Sequence, residues 1–555
     1  MKVLRALELD SIKTNKAYFS MRIIMSILVG ISYFLDSILV FKEPDQKIFW
    51  DNTKNSDVYF TNPNLYSFIL LICIAIIIFI SISIIGYIID KKKIFKTSQN
   101  KKNDRIIYLF IFISILIMWI PYFLSFFPGG YYGDVKDAIL QAIGRDELTN
   151  HQPIVFTFII SVFFNISKTI TNEYELGYIT LGSAQFVLMI AFITYFIYWF
   201  YRKGIDKKII IILTLFFGLF KLFPLYAVSI WKETPFSLFI ILLCIQIADI
   251  ILSKGKKLEK KPFTISIIIN VLLICFLRNN GLYIVIPSFI CIIWCYKKYK
   301  RFVYSIIATI ICITIIQMPL YKFLKINSKF SESIGIPLQQ IGYVIVNDGN
   351  INEEQMKYIK SIVSIEKVKK LYSPWNVDYI KFNSDLKIDN IENNKIQFFK
   401  LWIELFIQNP DMYIKEYILH LTGFWNINRA YSGDMKDYVN PITEYADRKD
   451  FNLYQIDIIK GLTGFSISKT LIDLKKQPIS SAIFIFIILI SVAYILKMKN
   501  YKMILVYLPI LFLIATIFIA TPIAFGLRYV YPVVIFAPFS IIFPFWTNNL
   551  NKSEK

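Results

Sequence analysis

At 555 residues, 56% hydrophobic and with a mean hydropathy of +0.54, the chain is far too apolar for a soluble globule. Its net charge of +22 would suit a nucleic-acid binder, but most of the excess sits in short connections between apolar runs, where it faces anionic headgroups, and this excludes that class. The six cysteines (Cys73, Cys244, Cys275, Cys291, Cys295 and Cys312) all lie in apolar segments, which argues against a disulfide framework or a zinc site and for small buried hydrophobes.

The chain starts basic, and its first apolar run, 21–41, is too long for a cleavable signal and lacks a small-residue cleavage site. A helix crossing a hydrocarbon core of about 30 Å needs about 20 apolar residues. Runs near 21–41, 65–89, 106–126, 178–199, 209–229, 235–252, 262–277, 282–296, 302–323, 479–497, 503–521 and 528–546 read as about twelve spans. Lys and Arg crowd the N-terminus, 90–105, 201–208, 253–262, 297–301, 497–502 and the C-terminus, and are sparse in the alternate connections. The positive-inside bias then puts both termini on the cytoplasmic side of the membrane. The apolar run 154–167 is only about 14 residues long, and counting it as a span would invert every later loop. It is therefore expected to be re-entrant or interfacial on the outer side.

The long polar segment 324–478 falls outside as well. Its helical patterns at 396–407 and 412–424, split by Asn409-Pro410, predict a mainly helical domain lying on the outer leaflet. The expected fold is an all-α polytopic membrane protein with this organisation: an N-terminal pair of spans and basic loop (1–105), a transmembrane core (106–323), an extracytoplasmic domain (324–478) and C-terminal spans (479–555).

Polar residues gather in the outer loops. The first, FPGGYYGDVKDAILQAIGRDELTNHQP, holds Asp134, Asp137 and His151. Trp231-Lys232-Glu233 forms the second, Arg278-Asn279-Asn280-Gly281 the third and Arg528-Tyr529 the last. Short loops between spans lie close together, so these groups are expected to converge on one cleft, with Asp134 as the first catalytic carboxylate. The alternative is that Lys232, Arg278 and Arg528 only snorkel at helix ends. Lys221, deep in its span, is a functional candidate by default, whereas Asp36, away from the cleft, reads as structural. Trp375, Trp402 and Trp425 suit sugar stacking or interfacial anchoring.

The string PGGYYGDVKDAILQAIG…NHQPIVFT resembles the first outer loop of the GT-C superfamily of polytopic glycosyltransferases. It is especially similar to a bacterial branch with a PG…D…Q…G…NHHP…T pattern. WKETPF, RNNGLYIVIP, IPLQQIGYV, YSPWNVD and RYVYP extend the likeness over about residues 106–535. Gln152 stands where the pattern has a second His, and Glu233 where Asp is commoner.

The resemblance implies a GT-C-like core and transfer of a sugar from a polyprenyl-phosphate donor to a cell-envelope acceptor (a glycan, glycolipid or polymer) on the extracytoplasmic face. Asp134 and Glu233 would be catalytic. Lys232, Arg278, Asn279, Arg528, His151, Gln152, Asp137 and Gln141 would bind substrate. Asp134 and Glu233 would also hold a divalent cation, Mg or Mn, if one takes part. The competing expectation is a transporter or flippase for lipid-linked glycans, but no internal repeat supports it.

Overall fold

The computed structural model describes residues 15–41, 55–92, 95, 104–130, 133–149, 151–323, 326, 330–429, 456–472, 480–524 and 526–553. Nearly all regular structure is helical. The helical bundle begins with α1 (Lys16–Ile38), a two-stranded hairpin of β1 (Leu39–Phe41) and β2 (Val58–Phe60), α2 (Leu65–Lys92) and α3 (Arg105–Ser125). It continues through α4 (Gly133–Ala142), α5 (Ile154–Thr171), α6 (Glu175–Arg202), α7 (Lys207–Leu219), α8 (Leu222–Val228), α9 (Glu233–Leu252), α10 (Lys261–Leu277), α11 (Gly281–Tyr296) and α12 (Lys300–Phe323).

The polar domain holds α13 (Gly335–Val346), α14 (Glu353–Ile362), α15 (Ile365–Leu371), α16 (Asp378–Lys381), α17 (Ile388–Asn393), α18 (Lys395–Gln408), α19 (Pro410–His420) and α20 (Thr422–Trp425). After it come α21 (Ile458–Thr463), α22 (Ser468–Ile472), α23 (Ser481–Lys497), α24 (Ile504–Ala520) and α25 (Tyr531–Ser553).

Local signals start these helices. Asn15 and Asp104 turn side-chain oxygens onto the Tyr18 and Ile106 amides, and Asp206 caps Lys208. Among the described residues, eight helices are long and apolar enough to cross a membrane, or nine if the bent pair α7–α8 is one span. Helices occupy all of the expected span positions. Four of them, α10, α11, α23 and α24, have only 16 or 17 residues, or about 24–26 Å of helix; α24 reaches 20 residues with the turn before it, and the other three fall short of a full hydrocarbon core.

The length expected for 154–167 is corrected. α5 runs for 18 residues, because the polar tail Ser167–Thr171 also keeps helical geometry until Asn172 enters the left-handed region at φ 60°. It qualifies as a span by length and composition. Just before α5, Gln152 is hydrogen-bonded to Lys232; beyond it, the Tyr178 hydroxyl of α6 donates to the Gly129 carbonyl, next to the Val228–Ile230 segment that leads into Lys232. Phe158, Ile166 and Ile170 of α5 are turned outward.

One further expectation changes. The cysteines are all free, but Cys73, Cys295 and Cys312 are exposed on outward helix faces. The first pair of spans is tied to the polar domain: Leu39, Phe41 and Val58 of its hairpin enter the core of that domain, where Phe41 stacks on the buried Trp375 at 6.2 Å between ring centroids. Trp375 is thus a core residue and neither an anchor nor a sugar platform. Asp36 is structural, accepting from Asn426, Asn428 and Arg429. Part of the polar segment, 430–455 and 473–479, lies outside the described residues.

Lys221 occupies the 56° break between α7 and α8, and its ammonium donates to the Thr470 carbonyl. At the end of the bundle away from α8, Lys203 and Lys257 from two basic loops both pair with Asp249.

Candidate active site

Asp134 enters the cleft because its loop is stitched to the next one. The Gly130 amide donates to the Val228 carbonyl at 2.6 Å, and the Ile230 amide to the Gly130 carbonyl at 3.3 Å. Glycines make this approach feasible: a Cβ on Gly129 would lie 2.9 Å from the Val228 oxygen, and one on Gly182 of α6 would lie 2.0 Å from the Pro128 oxygen. Two residues beyond Ile230, Lys232 begins the turn into α9. One end of α4 and one end of α9 are thereby set side by side.

The Asp134 carboxylate faces three basic groups. Arg528 Nη1 is 3.1 Å from Oδ2, Lys232 Nζ is 3.7 Å from Oδ2, and His151 Nε2 is 3.9 Å from Oδ1. Burial pushes its pKa up, but Lys232, Arg528 and His151 outweigh that and hold it well below the usual carboxylate range. Its side chain keeps 31% exposure, so the charged carboxylate still meets the cleft. Asp137, one turn on, is pushed the other way, by partial burial and by repulsion from Asp134.

Lys232 is buried and donates to the His151 carbonyl and to Gln152 Oε1, both at 3.1 Å. The Gln152 amide, in the position of the second His of the motif, thus accepts from a cation, which an imidazolium could not do. Gln141 lies behind, closing the loop onto Thr149.

Arg278 and Arg528 flank one ring. Their guanidinium carbons are each 5.0 Å from the Tyr529 centroid; Arg528 also lies over Trp231 and donates to the Tyr529 hydroxyl, while Arg278 lies over Phe236. Glu233 is 2% exposed, with Oε1 3.9 Å from Arg278 Nη2. Buried in this way, it orients Arg278 and does not reach the cleft as the expected catalytic acid would. Asn279 is exposed beside Arg278, and Asn280 turns toward Thr516.

The divalent-cation expectation does not fit these residues. Asp134 and Glu233 turn to different cations, and among the described residues no group of three or more His, Cys, Asp or Glu could hold a metal ion.

Sequence reasoning missed the contribution of the polar domain. Phe382 meets the His151 ring edge-on at 6.2 Å between centroids, and the charge of Asp378 is felt at Tyr529. This neighbourhood follows from backbone pairing: the Val377 amide donates to the Pro522 carbonyl, the Ala524 amide to Trp375, and the Gly423 amide to Ala524. The 521–524 segment that leads to Arg528 is thus held by YSPWNVD. Proximity of this kind has no signature in a single sequence.

Lys232 and Arg528 on Asp134 and Arg278 on Glu233, with Asp137 and Asp378 nearby, give the cleft interleaved charges that can meet an anion beside an ionised carboxylate. Residues 143–555 match a family of unknown function (DUF6020), so the chain belongs to that family, and the match takes in every one of these site residues except Asp134, Asp137 and Gln141. No curated protein and no solved structure matches the chain.

Proposed function

We propose that this member of the DUF6020 family is a membrane glycosyltransferase that moves a sugar from a polyprenyl-phosphate donor to a cell-envelope acceptor on the extracytoplasmic face. The observation that carries the proposal is the ionised, partly exposed carboxylate of Asp134, held against Arg528 and Lys232 in a cleft at the mouth of a helical bundle. Sidedness is supported by the basic loops around Lys203 and Lys257, which meet at Asp249 away from the cleft, as cytoplasmic loops would.

In this reading the donor phosphate takes up Arg528, Lys232 and Arg278. Charge that develops on the phosphate oxygen as the anomeric C–O bond breaks is met by these donors. The acceptor hydroxyl oxygen forms the new bond to the anomeric carbon and loses its proton to Asp134. A carboxylate clamped by two cations is a weak base. Phosphate binding draws those cations away from Asp134 and raises its basicity at the moment the acceptor proton must leave. Glu233 holds Arg278 in place, and both guanidinium groups lie against the Tyr529 ring.

The test is transfer by the purified full-length protein in nanodiscs, supplied with polyprenyl-phosphate sugars and an envelope-lipid extract, together with mass spectrometry of envelope glycans from cells with and without the gene. Donor-dependent glycan formation that disappears with Asp134→Asn is the expected result. Identical envelope glycans in both cell lines, with no transfer from any donor tried, would overturn it.

A further inference from the structure

On the polar domain, α18 carries two apolar faces. Phe398, Leu401 and Leu405 are buried in the domain core, while Ile396, Phe399, Ile403 and Ile407 form a second stripe at helical spacing, of which Ile396 is 88% and Ile407 70% exposed. A stripe of this kind is a liability in water and normally marks an interaction surface. It continues into a cleft of about 290 Å³ between α18 and α19, lined mainly by Trp402, Ile403, Phe406, Ile414, Tyr417 and Ile418. Its few polar groups are satisfied within the protein: Trp402 Nε1 donates to Gln340 Oε1, and the Tyr417 hydroxyl to the Phe518 carbonyl.

The Tyr417 bond fixes the level at which the cleft sits. Phe518 belongs to the last turn of α24, a helix long and apolar enough to cross a membrane together with the short turn before it, and its neighbour Ile519 is 73% exposed. The cleft therefore opens where the outward apolar surface of a span ends, and the stripe of α18 prolongs that surface. Lys395, Lys400 and Lys415 lie on the same two helices, with their ammonium groups over the Phe330 ring and beside Glu404 and Asp411. A soluble partner would have to cover the stripe while leaving Ile519 beside it to lipid; a bilayer covers both at once.

We infer that the α18–α19 cleft is a lipid site: the polar domain rests on the leaflet at the cleft end of the bundle and takes a hydrocarbon chain of a bilayer lipid between Trp402 and Ile414. This seating is independent of the reaction catalysed. It would hold α19, whose His420 bonds the Thr521 carbonyl on the segment leading to Arg528, at a set height above the membrane.

The experiment uses the full chain in nanodiscs of phosphatidylethanolamine and phosphatidylglycerol containing a phospholipid with a diazirine in its acyl chain, with labelled peptides mapped by mass spectrometry. Labelling of the 396–418 peptides in the wild type is expected, together with labelling of the spans. Ile414→Trp, which fills the cleft, should abolish the label at Trp402 and Tyr417 and leave span labelling unchanged, a built-in control for folding. Labelled spans with an unlabelled 396–418 segment would overturn the proposal. So would links between Lys395, Lys400 or Lys415 of two protomers formed by a bifunctional amine reagent in the same nanodiscs, which would assign the stripe to a second copy of the chain.

Discussion

Arg528 stands 394 residues after Asp134 in the chain, and its Nη1 lies 3.1 Å from the Asp134 carboxylate. The contact is held from two directions. The 521–524 segment preceding Arg528 is bonded to the polar domain, and the Pro128–Gly130 turn preceding Asp134 is bonded to Val228–Ile230. Neither side chain has to find the other unaided.

Replacing Asp134 by Asn keeps size and hydrogen bonding but removes the charge. Turnover should fall by about 10²–10⁴-fold if Asp134 accepts the acceptor proton, while the thermal midpoint in detergent still reports a folded protein. A well-folded Asn variant with near-normal transfer would remove Asp134 from the mechanism.

The pH dependence has a definite sign. Asp134 acts ionised, and Lys232, Arg528 and His151 hold its pKa well below the usual range against the effect of burial. The acid limb of kcat/KM should therefore fall below the ordinary carboxylate pKa. Arg528→Met removes one of the lowering charges and should move that limb to higher pH. The same linkage makes the stabilisation from this cluster fully present above the unfolded-state pKa, near 3.8, and lost as pH falls through the depressed folded value. A pH–rate profile of both proteins reads the shift, and coincident limbs would sink the assignment.

Arg278 lies over Tyr529 and is oriented by Glu233, a planar placement that an ammonium cannot reproduce. Arg278→Lys should weaken donor use nearly as much as Arg278→Ala, by roughly 1.5–3 kcal/mol. Donor titrations at equal folded concentration measure it, with Lys232→Ala alongside. Unchanged donor dependence in both variants would leave these residues as helix-end cations only.

A methyl group at Gly182 would meet the Pro128 carbonyl oxygen at 2.0 Å, and that oxygen is main chain and cannot rotate away. Gly182→Ala should cost about 1–3 kcal/mol and displace the loop that carries Asp134, lowering both the melting midpoint and transfer. A variant with wild-type values of both would show that Pro128 is free to move.

Topology is tested by single cysteines at two exposed positions, Asn390 on α17 and Lys256 in the 253–262 connection. An impermeant thiol reagent should label the first and spare the second in intact cells. The reverse pattern would invert the sidedness of the cleft.

Hydrophobicity is additive along a chain, so the sequence by itself determined the polytopic helical class, the placement of the apolar helices and the candidacy of Asp134, Lys232, Arg278 and Arg528, charges in loops where apolar runs make charge scarce. It also marked 154–167 as anomalously short, and the structure extends that helix to Thr171. Burial depends on neighbours far along the chain, which is why Glu233 looked like a second catalytic acid and lies instead beneath Arg278. Trp375 looked like an interfacial ring and is instead the partner of Phe41 in a core that the first hairpin completes. The approach of Phe382 and Asp378 to the cleft was decided by main-chain hydrogen bonds between 375–377 and 522–524, groups that every residue carries and that no side-chain pattern reveals.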